Sequence, residues 1–191
     1  MRRTIPFALM IGLLAMLTAC SSRSASAEEK FYDLRQTLQS KQEVCMTGDV
    51  TADFGDSTSS YTLRYTSDAE EKTVEVLAPE LIAGVKAKIS GSASSVEYDG
   101  LMLDAGILTA DGQTPVSALP AVCAAIESGY VESIWEEELD GTETVAVKLP
   151  ISDEVSITVW IDSASSVPRY AEISSDGRVA AFCRITDWST D

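Results

Sequence analysis

Val155-Ser156-Ile157-Thr158-Val159-Trp160-Ile161-Asp162 is the cleanest alternation in the chain. Val155, Ile157, Val159 and Ile161 fall on one side, with Ser156, Thr158 and Trp160 on the other. A period of two with one apolar face is the pattern of an antiparallel strand; a parallel strand buried on both faces reads as a continuous apolar run. A serine-rich loop and Pro168-Arg169-Tyr170 follow. Tyr170 to Ile173, Asp176-Gly177 and Val179 to Ile185 then make a hairpin, because Asp-Gly supplies the positive φ angles of a type I′ turn.

The same signal extends toward the N-terminus. Val131, Ser133, Trp135, Glu137 and Leu139 lead to Asp140-Gly141, after which Val145, Val147 and Leu149 return. Earlier runs are Val50 to Phe54, Tyr61 to Tyr65, Val74 to Val76 stopped by Pro79, and Leu81 to Ile89. Asp99-Gly100 joins Val96-Tyr98 to Leu101-Leu103, and alternation there sets Leu101 and Leu103 on the buried face. About ten strands are expected. So long a sheet curls into a barrel or half-barrel to manage its edges.

Two stretches follow a helical period instead. Glu28 to Lys41 places Phe31, Leu34 and Leu38 on one stripe, with acids first and a lysine last, as the helix macrodipole favours. Thr114 to Gly129 is a second helix with Pro115 in its first turn, Pro120 as a restart point and Gly129 as cap. Val116, Leu119, Cys123 and Ile126 lie on one face of it, so it covers an opening in the sheet. Ala121, Ala124 and Ala125 favour close packing there.

The 191 residues carry 14 basic and 30 acidic side chains, a net charge of −16. A surface this acidic repels nucleic acid and anionic headgroups, since no basic patch releases counterions. The chain has no histidine, which excludes Ser-His-Asp and Cys-His nucleophile activation and His-ligated zinc. No cofactor or metal is expected. Four cysteines are present, none within a CxxC; Cys45, Cys123 and Cys183 allow one disulfide with a free thiol, or three buried thiols.

Met1-Arg2-Arg3, an apolar run from Ile5 to Leu17 and the small residues after it have the layout of a secretory signal. The apolar run is shorter than the roughly 20 residues a bilayer-spanning helix requires. Leu17-Thr18-Ala19-Cys20 resembles the lipobox of bacterial lipoproteins. The resemblance implies cleavage between Ala19 and Cys20 and a diacylglyceryl thioether, typically carrying palmitate, on Cys20. Residues 1–19 are then the signal peptide, 20–29 a flexible tether and 30–191 one domain. Loss of Arg2 and Arg3 leaves 12 basic residues against 30 acidic, a net of −18. The expected location is the extracytoplasmic face of the cell membrane, held by lipid; Ser21 is not the Asp that retains Gram-negative lipoproteins at the inner membrane, so the outer membrane is open there.

The order of elements resembles the outer-membrane lipoprotein carrier and receptor (LolA/LolB-like) superfamily. The local match rests on Val159-Trp160-Ile161-Asp162, the serine-rich loop, Pro168-Arg169-Tyr170 and Asp176-Gly177, with Val74 through Pro79 to Gly84 fitting the central strand pair. The resemblance implies an α+β fold: a long antiparallel sheet curled into a half-open barrel, covered by an N-terminal helix and a mid-chain lid helix. It implies an apolar cavity for acyl chains or lipoproteins, with Tyr61, Leu63, Tyr65, Val155, Ile157 and Val159 on its wall. If the lid packs down, the same residues are an ordinary core. No basic residue stands out as a lid-closing arginine. Clostridial germination lipoproteins belong to the same group, which gives the alternative of docking a cell-envelope enzyme.

Catalysis has little support. Glu136, Glu137, Glu138 and Asp140 crowd one hairpin, and paired carboxylates hydrolyse glycosides; a charge run at a turn is more often a solvated face. Asp49, Asp53 and Asp56 lack the alternating ligands and distal Glu of a calcium loop. No serine sits in G-x-S-x-G. A non-catalytic binding protein is the expectation.

Overall fold

The computed structural model describes residues 26–191 apart from 54, 56, 69–70, 91–92 and 107–110. The signal peptide, the Ala19–Cys20 junction, tether residues 20–25 and Phe54 lie outside the described residues. Helix α1 (26–40) begins inside the expected tether, and Ala27 is already buried. The strands β1 (Val44–Asp53), β2 (Thr58–Ser67), β3 (Lys72–Ala78), β4 (Lys86–Ser90), β5 (Ala93–Tyr98) and β6 (Leu101–Gly106) follow. Helix α2 (Pro115–Ser128) then leads to β7 (Ser133–Leu139), β8 (Thr142–Pro150), β9 (Val155–Asp162), β10 (Pro168–Ser175) and β11 (Arg178–Thr190).

These eleven strands form one antiparallel sheet in the order β6-β5-β4-β3-β2-β1-β11-β10-β9-β8-β7. β6 and β7 are its two edges and do not pair with each other, so the sheet curls without closing. The fold is therefore the α+β half-open barrel with two helices. Each meander is local in sequence; the long-range join is β1 on β11, from Val44 opposite Thr190 to Ala52 opposite Ala181. Asp99-Gly100, Asp140-Gly141 and Asp176-Gly177 all turn with positive φ at both residues, as a type I′ hairpin requires.

Several expectations change. β1 starts at Val44 rather than Val50, with Val44, Met46 and Val50 buried on alternate residues. Gly48 interrupts that pattern for a steric reason: a Cβ there would meet the Arg184 carbonyl oxygen at 2.9 Å and Leu119 Cδ2 at 3.5 Å. The apolar run from Leu81 is not all strand. Glu80–Ile82 forms a 3-10 turn, Gly84 takes φ +88°, and β4 begins only at Lys86. Leu81 is 89% exposed as a result. Leu101 is 72% exposed, not buried, because it sits beside the hairpin turn at an edge strand.

Helix α2 runs unbroken through Pro120 and is capped by Thr114, whose hydroxyl accepts from the Ser117 amide. A single apolar stripe was expected. Instead Ala118, Leu119, Ala121, Val122, Cys123, Ala125 and Ile126 are all buried, with Val116 half-buried and Ala124 exposed. A helix apolar on most sides is one enclosed on most sides. α2 lies on β1, β2, β9 and β11, and α1 adds Phe31, Leu34 and Leu38 to the same continuous core.

Candidate functional site: the helix-covered concave face

The concave face presents the inward residues of the central strands. Leu63, Tyr65, Val155, Ile157 and Val159 are buried there, and Tyr61 is half-buried against the same cluster. Leu119, Cys123 and Ile126 of α2 belong to that cluster, with Val116 at its margin. The structure thus brings the expected wall and the expected cover together, in contact. In this arrangement they pack as a core.

One side chain fastens the cover. Arg35 of α1 donates from Nε to the Ile126 carbonyl at 2.6 Å, and from Nη2 to the Gly129 carbonyl at 2.7 Å and the Ala125 carbonyl at 3.4 Å. The last carbonyls of a helix lack intrahelical donors and carry partial negative charge, so a guanidinium fork suits them in geometry and sign. The guanidinium also lies over the Phe31 ring, 4.6 Å from its centroid. Burial lowers the Arg35 pKa, with the nearby Tyr32 opposing the shift. One turn on, Gln39 Nε2 donates to the Glu127 carbonyl at 2.7 Å. Sequence reasoning carried over no latching arginine. Arg35 lies between the apolar positions Leu34 and Leu38, where its partner carbonyls, some 90 residues away, leave no mark.

Beside this junction a cleft of about 310 Å³ opens where α1 and α2 end against the β2–β3 turn. Leu38, Val44 and Cys123 give it apolar walls, and Lys41, Lys72 and Glu127 stand among its polar residues. Tyr65 and Cys123 belong to the same buried cluster. Burial pushes the Cys123 thiol up to about 11 and the Cys183 thiol up to about 12, and raises Tyr65 as well. Cys45, Cys123 and Cys183 are all free thiols.

Other candidates disperse. Glu136, Glu137 and Glu138 are exposed on edge strand β7, so the facing acids that a carboxylate hydrolase needs are not assembled by them. Among the described residues no group of three metal-ligating side chains converges, and no helix is long and apolar enough to cross a membrane. Asp162, the acid that ends β9, accepts from the Ser165 and Ala164 amides at 2.9 and 2.8 Å and pairs with Arg169 at 3.4 Å. The Ser165 amide, first among these contacts, holds its carboxyl below the usual range.

Neither the models of known protein families nor the sequences of curated proteins match this chain. Solved structures do. The chain is similar to a LolA-superfamily protein from Nitrosomonas europaea, 12% identical over 86% of this chain and 93% of that one, with a TM-score of 0.50. An outer-membrane lipoprotein-sorting type domain from Vibrio parahaemolyticus is also 12% identical over the same shares, with a TM-score of 0.51. A conserved protein from Thermus thermophilus is 11% identical over 86% of this chain and 87% of that one, with a TM-score of 0.52. At such identity the likeness speaks for the fold alone, the half-open barrel these structures share.

Proposed function

We propose that this chain is an extracytoplasmic lipoprotein, anchored through diacylglyceryl-Cys20, that binds acyl chains or lipoproteins under α2 and catalyses no reaction. The observation that carries the reading is the cleft beside the α1–α2 junction. Its Leu38, Val44 and Cys123 walls adjoin the core through Tyr65, and the helix beside it is fastened to α1 by one arginine and one glutamine. At about 310 Å³ the cleft lies at the low end of the roughly 300–1,000 Å³ of small-ligand pockets, and three of its nine lining residues are apolar, the rest forming a polar mouth. An acyl chain entering the cleft takes the place of α2 contacts on the concave wall, so apolar surface stays covered whether the cover is down or raised. The fold likeness to a lipoprotein-sorting type domain supports the same reading.

A second reading has its own observation. Leu81, Tyr98, Leu101 and Met102 are exposed at 89%, 49%, 72% and 61%, on two neighbouring turns at one end of the sheet. Clustered apolar exposure of this kind marks protein contact sites, which suits docking of a cell-envelope enzyme. The two readings separate in one titration. Protein purified without detergent should bind cis-parinaric acid saturably, and phospholipid should displace the probe. Absence of saturable fluorescence sinks the acyl-chain reading and leaves the docking one.

A further inference from the structure

The convex face of β7–β11, opposite the helices, carries a row of aromatic rings. Strand register sets Trp135 opposite Ala146, Ala146 opposite Trp160, Trp160 opposite Tyr170 and Tyr170 opposite Arg184. Tyr170 then stacks on Phe182 at 5.9 Å with ring planes 29° apart. Trp135 and Phe182 are 36% and 37% exposed, and Trp160 and Tyr170 are half-buried.

We propose that this row is a binding platform for a neutral, β-linked polysaccharide. Several observations point to that ligand class. Ala146 sits on this face yet is fully shielded, and its cross-strand neighbours there are the two indoles. The rings therefore lie down over the sheet and offer broad faces, as the C–H faces of a pyranose require; upright rings would instead ask for a partner with pockets. The ring edges are already engaged: Trp160 Nε1 donates to Glu137, Tyr170 Oη donates to Asp140 at 3.0 Å, and Arg184 reaches the Tyr170 hydroxyl. Rings fixed in this way lose little freedom on binding; Trp160 keeps its π face as remaining contact capacity, whereas Tyr170 is already stacked on Phe182 with Arg184 over it and serves to brace the row. The carboxylates Glu137 and Asp140 keep free lone pairs for sugar hydroxyls, whereas they and the net charge of −16 repel an anionic polymer. Trp135 and Trp160 lie two strands apart, about 10 Å, a span close to one disaccharide of a β-1,4-linked chain. From β8 to β11 the platform is interior to the sheet and offers no open backbone edge for an added peptide strand; only Trp135, on β7, stands at an edge.

The test uses the full mature protein and two defined probes, the hexamers of N-acetylglucosamine and of glucose, followed by calorimetry and tryptophan fluorescence. At least one hexamer should bind, and Trp135→Ala and Trp160→Ala should each weaken it tenfold or more. Trp188→Phe, on the helix-covered side of the molecule, should leave affinity unchanged. Trp135 lies on an edge strand and is partly exposed, so its variant is the one that keeps the test decisive if Trp160→Ala unfolds; circular dichroism establishes that. No binding of either hexamer by the parent protein overturns the proposal, and so does unchanged affinity in a folded Trp135→Ala protein.

Discussion

Arg35 is one side chain serving three carbonyls, so its removal is felt in α2 rather than in α1. Hydrogen bonds to charged groups contribute about 1.5–3 kcal/mol when buried. The site is only partly buried and the bonds are shared, so Arg35→Ala should cost about 2 kcal/mol. For a domain of this size that lowers Tm by roughly 4–8 °C. Arg35→Lys should recover little of it, because an ammonium on a flexible stem lacks the planar fork. Thermal melts of the three proteins give the comparison. Asp162 makes a different prediction, in pH. Its folded carboxyl binds a proton less readily than the unfolded one, so it stabilises the fold above about pH 4, the unfolded value. That contribution is lost as pH falls through the lowered folded value. Asp162→Asn should melt earlier than the parent at pH 7, and the two should converge in acid; parallel curves down to pH 2 would contradict the assignment.

At the scale of elements, α2 is the piece whose packing decides the concave face. Leu119 is fully buried against β1, near Gly48. Leu119→Ala should destabilise by about 2–5 kcal/mol, the usual cost of a core leucine with its residual cavity. If the concave face takes acyl chains, the same change should strengthen cis-parinaric acid binding in urea-checked, folded protein, since it enlarges the space beneath the helix. Element identity is largely legible in the sequence wherever period and punctuation agree: the three Asp-Gly turns, the Val155–Ile161 alternation and Pro115 in the first turn of α2 all stand where the pattern puts them, whereas the Thr114 cap goes unread. Where they disagreed, punctuation won. Leu81 and Ala83 continue the alternation into β4, but Pro79 and Gly84 bend the backbone into a turn first. β1 was read six residues short because Gly48 has no side chain to register a face. The wall residues of the site were legible as buried, yet burial alone does not distinguish a lined cavity from a core, and Arg35 acts through backbone atoms that leave no trace in side-chain pattern.

At the scale of the molecule, tethering and charge divide the work. A domain carrying 30 acidic residues has no electrostatic attraction to an anionic leaflet, so under the proposed function residence at a membrane rests on the thioether at Cys20. Two acyl chains suffice, at about 0.8 kcal/mol per buried methylene. Cys20→Ala should move the protein from the membrane fraction to the soluble one on fractionation; unchanged membrane association would remove the lipobox from the account. The topology adds a consequence in time. Among the described strands β1 comes first in the chain and β11 last, yet they lie side by side at the centre of the sheet. Before β11 pairs with β1, the N-terminal six-stranded meander and the C-terminal meander are joined in the sheet by no strand pairing, only by the covalent segment that includes α2. The middle of the sheet, and with it the floor on which both helices rest, is therefore completed only when β1 meets β11. Non-local pairing of this kind is slow compared with hairpin closure. Until β1 and β11 meet, the chain is two half-sheets, each held by its own hairpins and neither offering the helices a complete floor.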